Sequence, residues 1–157
     1  MHAIPLPVLT VTVNTELDVI GASHRARQIA DFCGFGAQDQ VRIASAISEL
    51  AKALFSHGWV GNVGFAISND VRPQALVVDI SGSGFDDTGT RRPDTWPETV
   101  EMGFVSARRF MDKFEMSTHG HGTRILLSKT LPDRSSLMTR GSIDAAISML
   151  GTLPSNV

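Results

Sequence analysis

Few residues in this chain combine a reactive side chain with a spacing that could use it. Glu49 stands in the run Ala46-Ile47-Ser48-Glu49-Leu50-Ala51-Lys52-Ala53. At helical spacing, positions 47, 50 and 54 share the apolar side while 49 and 53 share another. That puts the Glu49 carboxylate off the core side, either as an exposed helix residue or at a pocket rim, where a carboxylate can orient a water or a hydroxyl for attack. Gly82-Ser83-Gly84-Phe85 follows one apolar run directly, and Gly120-His121-Gly122-Thr123 precedes another. Each Gly-x-Gly marks a turn, and its order relative to Glu49 carries more information than the turn itself. His119 and His121 could place two imidazoles on one metal, but no acidic or Cys residue stands near them, so they read as a solvated turn. Arg91 and Arg92 could meet an anion or a partner's carboxylates, with two solvated charges as the plainer reading. Cys33 reads as a small buried apolar residue on a helix. No Ser-His-Asp or Cys-His arrangement is recognisable.

The elements that must position these residues follow from periodicity. Val8 to Val13 alternates and is rich in β-branched types, which predicts a first strand. Asn14 and Thr15 offer capping oxygens to a helix through Leu17, Ile20, Ala26, Ile29 and Cys33, closed by Gly34 and Gly36. The strongest helical pattern follows, with Ile43, Ala44, Ile47, Leu50, Ala51, Leu54 and Phe55 on one stripe and Gly58 as its stop. Val63 to Ile67 and Ala75 to Ile80 read as a hairpin. Residues 81 to 97 hold hardly a large side chain over an unusually long connection and read as a lid. A helix from Glu98 to Met111 and a last strand from Thr123 to Leu127 complete the order. A short helix from Ser142 to Leu150, with Ser142 as N-cap, must dock on the domain or meet another chain.

At 157 residues the chain fits one domain able to bury a core without staples. Apolar residues make up 42% and charged ones 19%, the balance of a globular protein. A net charge of −2 argues against a nucleic-acid partner. No apolar run is long enough to span a bilayer, and residues 1 to 7 lack a basic stretch with an apolar core, so a cytoplasmic protein without a membrane partner is expected. The element order does not alternate as a doubly wound parallel sheet does. It predicts an α+β two-layer sandwich, with a mixed, mainly antiparallel sheet and helices on one face. The expected division is a domain over residues 1–128 and an extension over 129–157.

That order, with three local patterns, resembles the GHKL nucleotide-binding family, and within it the RsbT and RsbW type of switch serine kinase and anti-sigma factor. The patterns are the Ser48-Glu49-Leu50 run, the Gly82-Ser83-Gly84 turn after an apolar strand, and the stretch from Met102-Gly103-Phe104 through Arg108 to Phe114 and on to Gly122-Thr123. The likeness spans roughly residues 8 to 128. It implies a Bergerat-type fold in which ATP lies under residues 82 to 103, with Gly82, Gly84, Gly103, Gly122 and Thr123 around it. Glu49 would activate a hydroxyl for attack on the terminal phosphate. The resemblance also shows departures. The family's magnesium-binding Asn, four residues after the Glu, is Ala53 here, and a methyl cannot ligate. Lys52 could offset part of that loss by meeting a phosphate. The family's purine-binding Asp, two residues before the first Gly, is Ile80, with Asp79 one residue early and aimed at the other face of its strand. Glu101 and Thr99 stand where the family commonly has glycine.

ATP and magnesium binding is therefore expected to be weak or absent. The first reading is a regulatory protein that acts by docking an anti-sigma antagonist, a STAS-type scaffold or a phosphatase in partner switching and stress response. The alternatives are an active Ser/Thr kinase using Glu49, and a module derived from a two-component histidine kinase. In the last, the 142 to 150 helix would be a linker remnant or a contact between two copies of the chain.

Overall fold

The computed structural model describes residues 5–84, 98–119, 122–133 and 135–151. The expected lid falls on residues 85–97 for the most part, and it lies outside the described residues together with Arg91, Arg92 and His121.

The chain opens with strand β1 (Leu6–Val13) and helix α1 (Glu16–Phe32). Thr15 caps the helix in a reciprocal box. The Asp18 amide donates to Thr15 Oγ1 at 3.2 Å, and the Thr15 amide donates to Asp18 Oδ2 at 3.0 Å. A further bond from the Asn14 amide, at 2.8 Å, is the largest influence holding the Asp18 carboxyl below its ordinary pKa. Gly34 ends α1 with φ +91°. The amides of Gly34 and Phe35 return to the carbonyls of Asp31 and Ala30, which is the paired closure of a Schellman motif.

Helix α2 (Ala37–Ser56) buries Ile43, Ala44, Ile47, Leu50, Ala51 and Leu54, the stripe its spacing predicts. It ends in the same way. Gly58 adopts φ +94°, and the amides of Gly58 and Trp59 bond the carbonyls of Phe55 and Leu54. Strands β2 (Val60–Ile67) and β3 (Ala75–Ser83) form the hairpin, and helix α3 (Glu98–Phe110) follows beyond the undescribed segment.

Strand β4 (Lys113–His119) occupies a stretch for which the sequence predicts no element, between the last helix and a single final strand. It pairs with β5 (Gly122–Thr130) from Lys113 opposite Ser128 to His119 opposite Gly122. With only Phe114 and Met116 apolar and β4 on a sheet edge, its alternation was too sparse to announce itself.

The sheet order is β1-β2-β3-β5-β4 and every neighbouring pair is antiparallel. The fold is thus an α+β sandwich whose sheet carries no parallel pair among the described residues. Helix α1 packs on β1 and α2, α2 packs on α3, and α3 reaches β4. Val63, Phe65 and Ile67 of β2, Leu76, Val78 and Ile80 of β3, and Ile125 and Leu127 of β5 turn into the shared core.

Helix α4 (Arg140–Gly151) lies against β1. Its N-cap is Thr139 rather than Ser142. The Ser142 amide donates to Thr139 Oγ1 at 3.1 Å, and Ser142 Oγ accepts from the Thr139 amide at 2.8 Å. Leu131, Met138 and Ile143 join the same core as the strands. Gln74, buried, fastens the tail: its Nε2 donates to the Met138 carbonyl and its Oε1 accepts from the Met138 amide, both at 2.8 Å.

Candidate functional site

Helix α2 presents Glu49, Lys52, Ala53 and Ser56 along one flank, and α3 presents Met102, Gly103 and Ser106 opposite. Between them lies a cleft of about 380 Å³. Its closeness depends on Gly103, where a Cβ would stand 3.3 Å from Leu50 Cα and 3.6 Å from the Glu49 carbonyl oxygen. Ala53 is buried in the wall, while Glu49, Lys52 and Met102 are exposed at the rim. Ser56 is occupied locally, since its Oγ donates to the Ala53 carbonyl at 2.8 Å. Neither the Glu49 carboxylate nor the Lys52 ammonium has a hydrogen bond or ion pair among the described residues.

The cleft therefore unites three of the residues singled out in the sequence, Glu49, Lys52 and Gly103, with Ala53 at the position of the expected metal ligand. Ser56, Met102 and Ser106 were missed. The first continues the spacing of 49, 52 and 53 along the helix, and the other two stand four apart on α3 on either side of Gly103.

The remaining expected residues lie elsewhere. Gly82 and Gly84 sit at the end of β3 and are not in the cleft's lining. A Cβ on Gly82 would come within 2.2 Å of the Val60 carbonyl oxygen and 2.5 Å of Trp59 Nε1, so packing alone requires glycine there. Gly84 adopts φ +83° with the Gly58 carbonyl 3.0 Å from a would-be Cβ, which brings the end of β3 beside the end of α2. Thr123 is buried opposite Gly82, and Gly122 opens β5 opposite Ser83.

Asp79 is not brought to the cleft. Its neighbour Ile80 points into the core with no exposure, so Asp79 lies on the other face of the sheet. There Arg124 grips it, Nε at 3.2 Å from both carboxylate oxygens and a terminal nitrogen at 2.9 Å from Oδ2. The bond to Asp79 raises the Arg124 pKa. No bulge re-aims this part of β3, which stays in register from Val77 to Gly82 with both neighbours.

Cys33 is buried, and desolvation pushes its thiol up to about 12, which removes it as a nucleophile. Among the described residues no three His, Cys, Asp or Glu side chains gather as a metal site. None of the described helices is long and apolar enough to cross a membrane.

No family model matches the chain. It is 32% identical over 126 residues to the serine/threonine-protein kinase RsbT of Bacillus subtilis (strain 168), an alignment covering 77% of this chain and 95% of the relative. With that identity over nearly the whole relative, and an α+β sandwich holding Glu49, Lys52 and Gly103 around one cleft, the chain belongs to the RsbT family of serine/threonine-protein kinases.

Proposed function

We propose that this protein is a GHKL-type member of the family that works as a signalling switch mainly by docking another protein, with nucleotide binding weakened or lost. The single observation that carries this reading is the pair of substitutions at the anchors. Ala53 offers a methyl inside the cleft where a magnesium ligand is needed, and Ile80, at the purine anchor, is sealed in the core. Magnesium relies on very few protein ligands, so one lost oxygen removes much of its hold. The carboxylate nearest the purine anchor, Asp79, is committed to Arg124 on the far face. The residues at hand thus do not fit a magnesium-bridged nucleotide.

What survives is a shaped surface. Glu49 and Lys52 stand exposed beside an apolar floor of Ala53 and Gly103, flanked by Met102. Such a rim suits contact with a protein partner of the kind used in partner switching, whether an anti-sigma antagonist, a STAS-type scaffold or a phosphatase. Titration of the purified chain with magnesium and ATP tests the reading. The expected result is no heat of binding and no thermal shift at millimolar nucleotide, and tight magnesium-dependent binding would sink it.

A working kinase is the second reading, favoured by the place of Glu49 at the cleft rim and by the likeness to a serine/threonine-protein kinase. It predicts phosphoryl transfer to a partner protein that Glu49→Gln abolishes. Transfer undiminished in that variant removes Glu49 from the chemistry.

A further inference from the structure

Trp59 is the one described side chain with a fully buried polar atom that meets no hydrogen-bond partner. The Schellman closure of α2 sends it inward: Gly58 turns the chain, the Trp59 amide returns to Leu54, and the side chain has no solvent exposure. Its Nε1 points at Gly82 so closely that a Cβ there would come within 2.5 Å. Gly82 follows Ile80 by two residues and shares its helix-facing side of β3, with Gly61 opposite on β2 and Thr123 opposite on β5. A Cβ on Gly61 would likewise collide, 2.1 Å from the Ser81 carbonyl oxygen. These glycines serve the close approach of β2, β3 and the indole, and nothing about them calls for a phosphate.

We infer that the Trp59 indole fills, from within the chain, the space over Ile80, Gly82 and Thr123 that a purine base would need. Indole and purine share the same fused five- and six-membered outline, so one excludes the other. A tryptophan selected for packing normally places its N–H on an acceptor. Here the donor ends against the Gly82 backbone with no acceptor in reach among the described residues. The inference rests on the docking reading above and adds a steric cause to the two lost anchors: the inner end of the cradle is filled, while the α2–α3 cleft lined by Glu49, Lys52 and Met102 stays open.

The test uses the full chain carrying Trp59→Gly, with indole and adenosine as separate probes of thermal unfolding. Both are expected to raise the midpoint, by roughly 3 °C at tenfold excess over the dissociation constant, and neither should move the unsubstituted chain. Stabilisation by indole alone would show a core cavity sealed from the cradle, and stabilisation by neither would show a space that collapses. Either result overturns the inference. A second measurement covers a variant that fails to fold. With Trp96→Phe leaving Trp59 as the sole indole, its emission should resist acrylamide and ignore millimolar magnesium-ATP, and a nucleotide-dependent change in quenching overturns the inference. Tight ATP binding by the unsubstituted chain sinks the docking reading, whereas a nonbinding chain with an adenosine-blind Trp59→Gly variant leaves that reading standing and removes Trp59 as its cause.

Discussion

At the residue scale the glycines carry the sharpest expectations. Gly103 holds α3 against α2, and a methyl there would stand 3.3 Å from Leu50 Cα and 3.4 Å from Leu50 Cδ1. In Gly103→Ala the few tenths of an ångström by which the helices must part are set against the roughly 1 kcal/mol that Ala gains over Gly inside a helix, so a net change within about 1 kcal/mol is expected, read from urea unfolding. Gly82→Ala drives its Cβ into a carbonyl at 2.2 Å and should lower the midpoint further than Gly103→Ala, with equal losses refuting the packing account. Ala53→Asn and Ile80→Asp, which restore the family's pattern on paper, are unequal experiments. The first adds a ligand in the cleft wall and should strengthen magnesium-ATP binding if the metal anchor is the limiting loss. The second buries an unpaired carboxylate among Val78, Ile125 and their neighbours and should destabilise the fold. Cys33 keeps its proton because burial holds its pKa near 12. Its protonated form supports the folded state below the unfolded thiol value of about 8.5, and that support is lost as pH rises toward the folded value. At pH 8 a thiol reagent should label it only on unfolding, and rapid labelling of the native chain would contradict the burial.

At the element scale, the helix ends decide where the functional side chains arrive. The Thr15–Asp18 box fixes the start of α1, and Thr15→Ala is expected to cost about 1 kcal/mol. Asp18 has a depressed folded pKa, so its contribution is present above the unfolded carboxylate value of about 3.9 and fades as pH falls through the folded one. The urea midpoint should therefore fall on acidification below pH 4 less steeply in Asp18→Asn than in the unsubstituted chain. Gly58 matters most for the site, since its left-handed turn both closes α2 behind Ser56 and turns Trp59 inward. The tail belongs to the same argument. Gln74→Ala strands the Met138 amide and carbonyl in a buried place, which should cost about 1–3 kcal/mol. A change near zero would mean that the tail is held by Ile143 and Met138 alone.

At the scale of the whole molecule, one sheet face carries the core and the other is left with paired charges such as Asp79 and Arg124. That two-sidedness explains why a one-residue offset in the sequence matters so much: the strand period sends Ile80 to the core and Asp79 away from it. It also assigns α4 a place, since Ile143 and Met138 complete the core beside β1. A chain ending at residue 131 loses those two apolar side chains, each worth about 1.5–3 kcal/mol when buried. It should unfold several degrees earlier than the full chain, and an unchanged midpoint would show that the extension adds nothing to the domain.

Much of this was legible along the chain. The stripe of α2, the hairpin, the capped start of α1 and the antiparallel sandwich all follow from local periods and caps, which adjacent residues encode by themselves. So does the placement of Glu49 off the core face, because helical spacing fixes which residues share a flank, whereas its place at a cleft rim needed α3 across from it. Strand β4 was not legible, since an edge strand with two apolar residues carries little periodic signal. Nor were the partners across space: that Met102 and Ser106 face Ala53, that Gly82 makes room for Trp59 and Gly61 for the backbone of β3, and that Arg124 holds Asp79 depend on contacts between residues far apart in sequence. Local order comes from neighbours within a turn or a strand, whereas the α2–α3 cleft and the seat of the Trp59 indole exist only once helices and strands have been packed together.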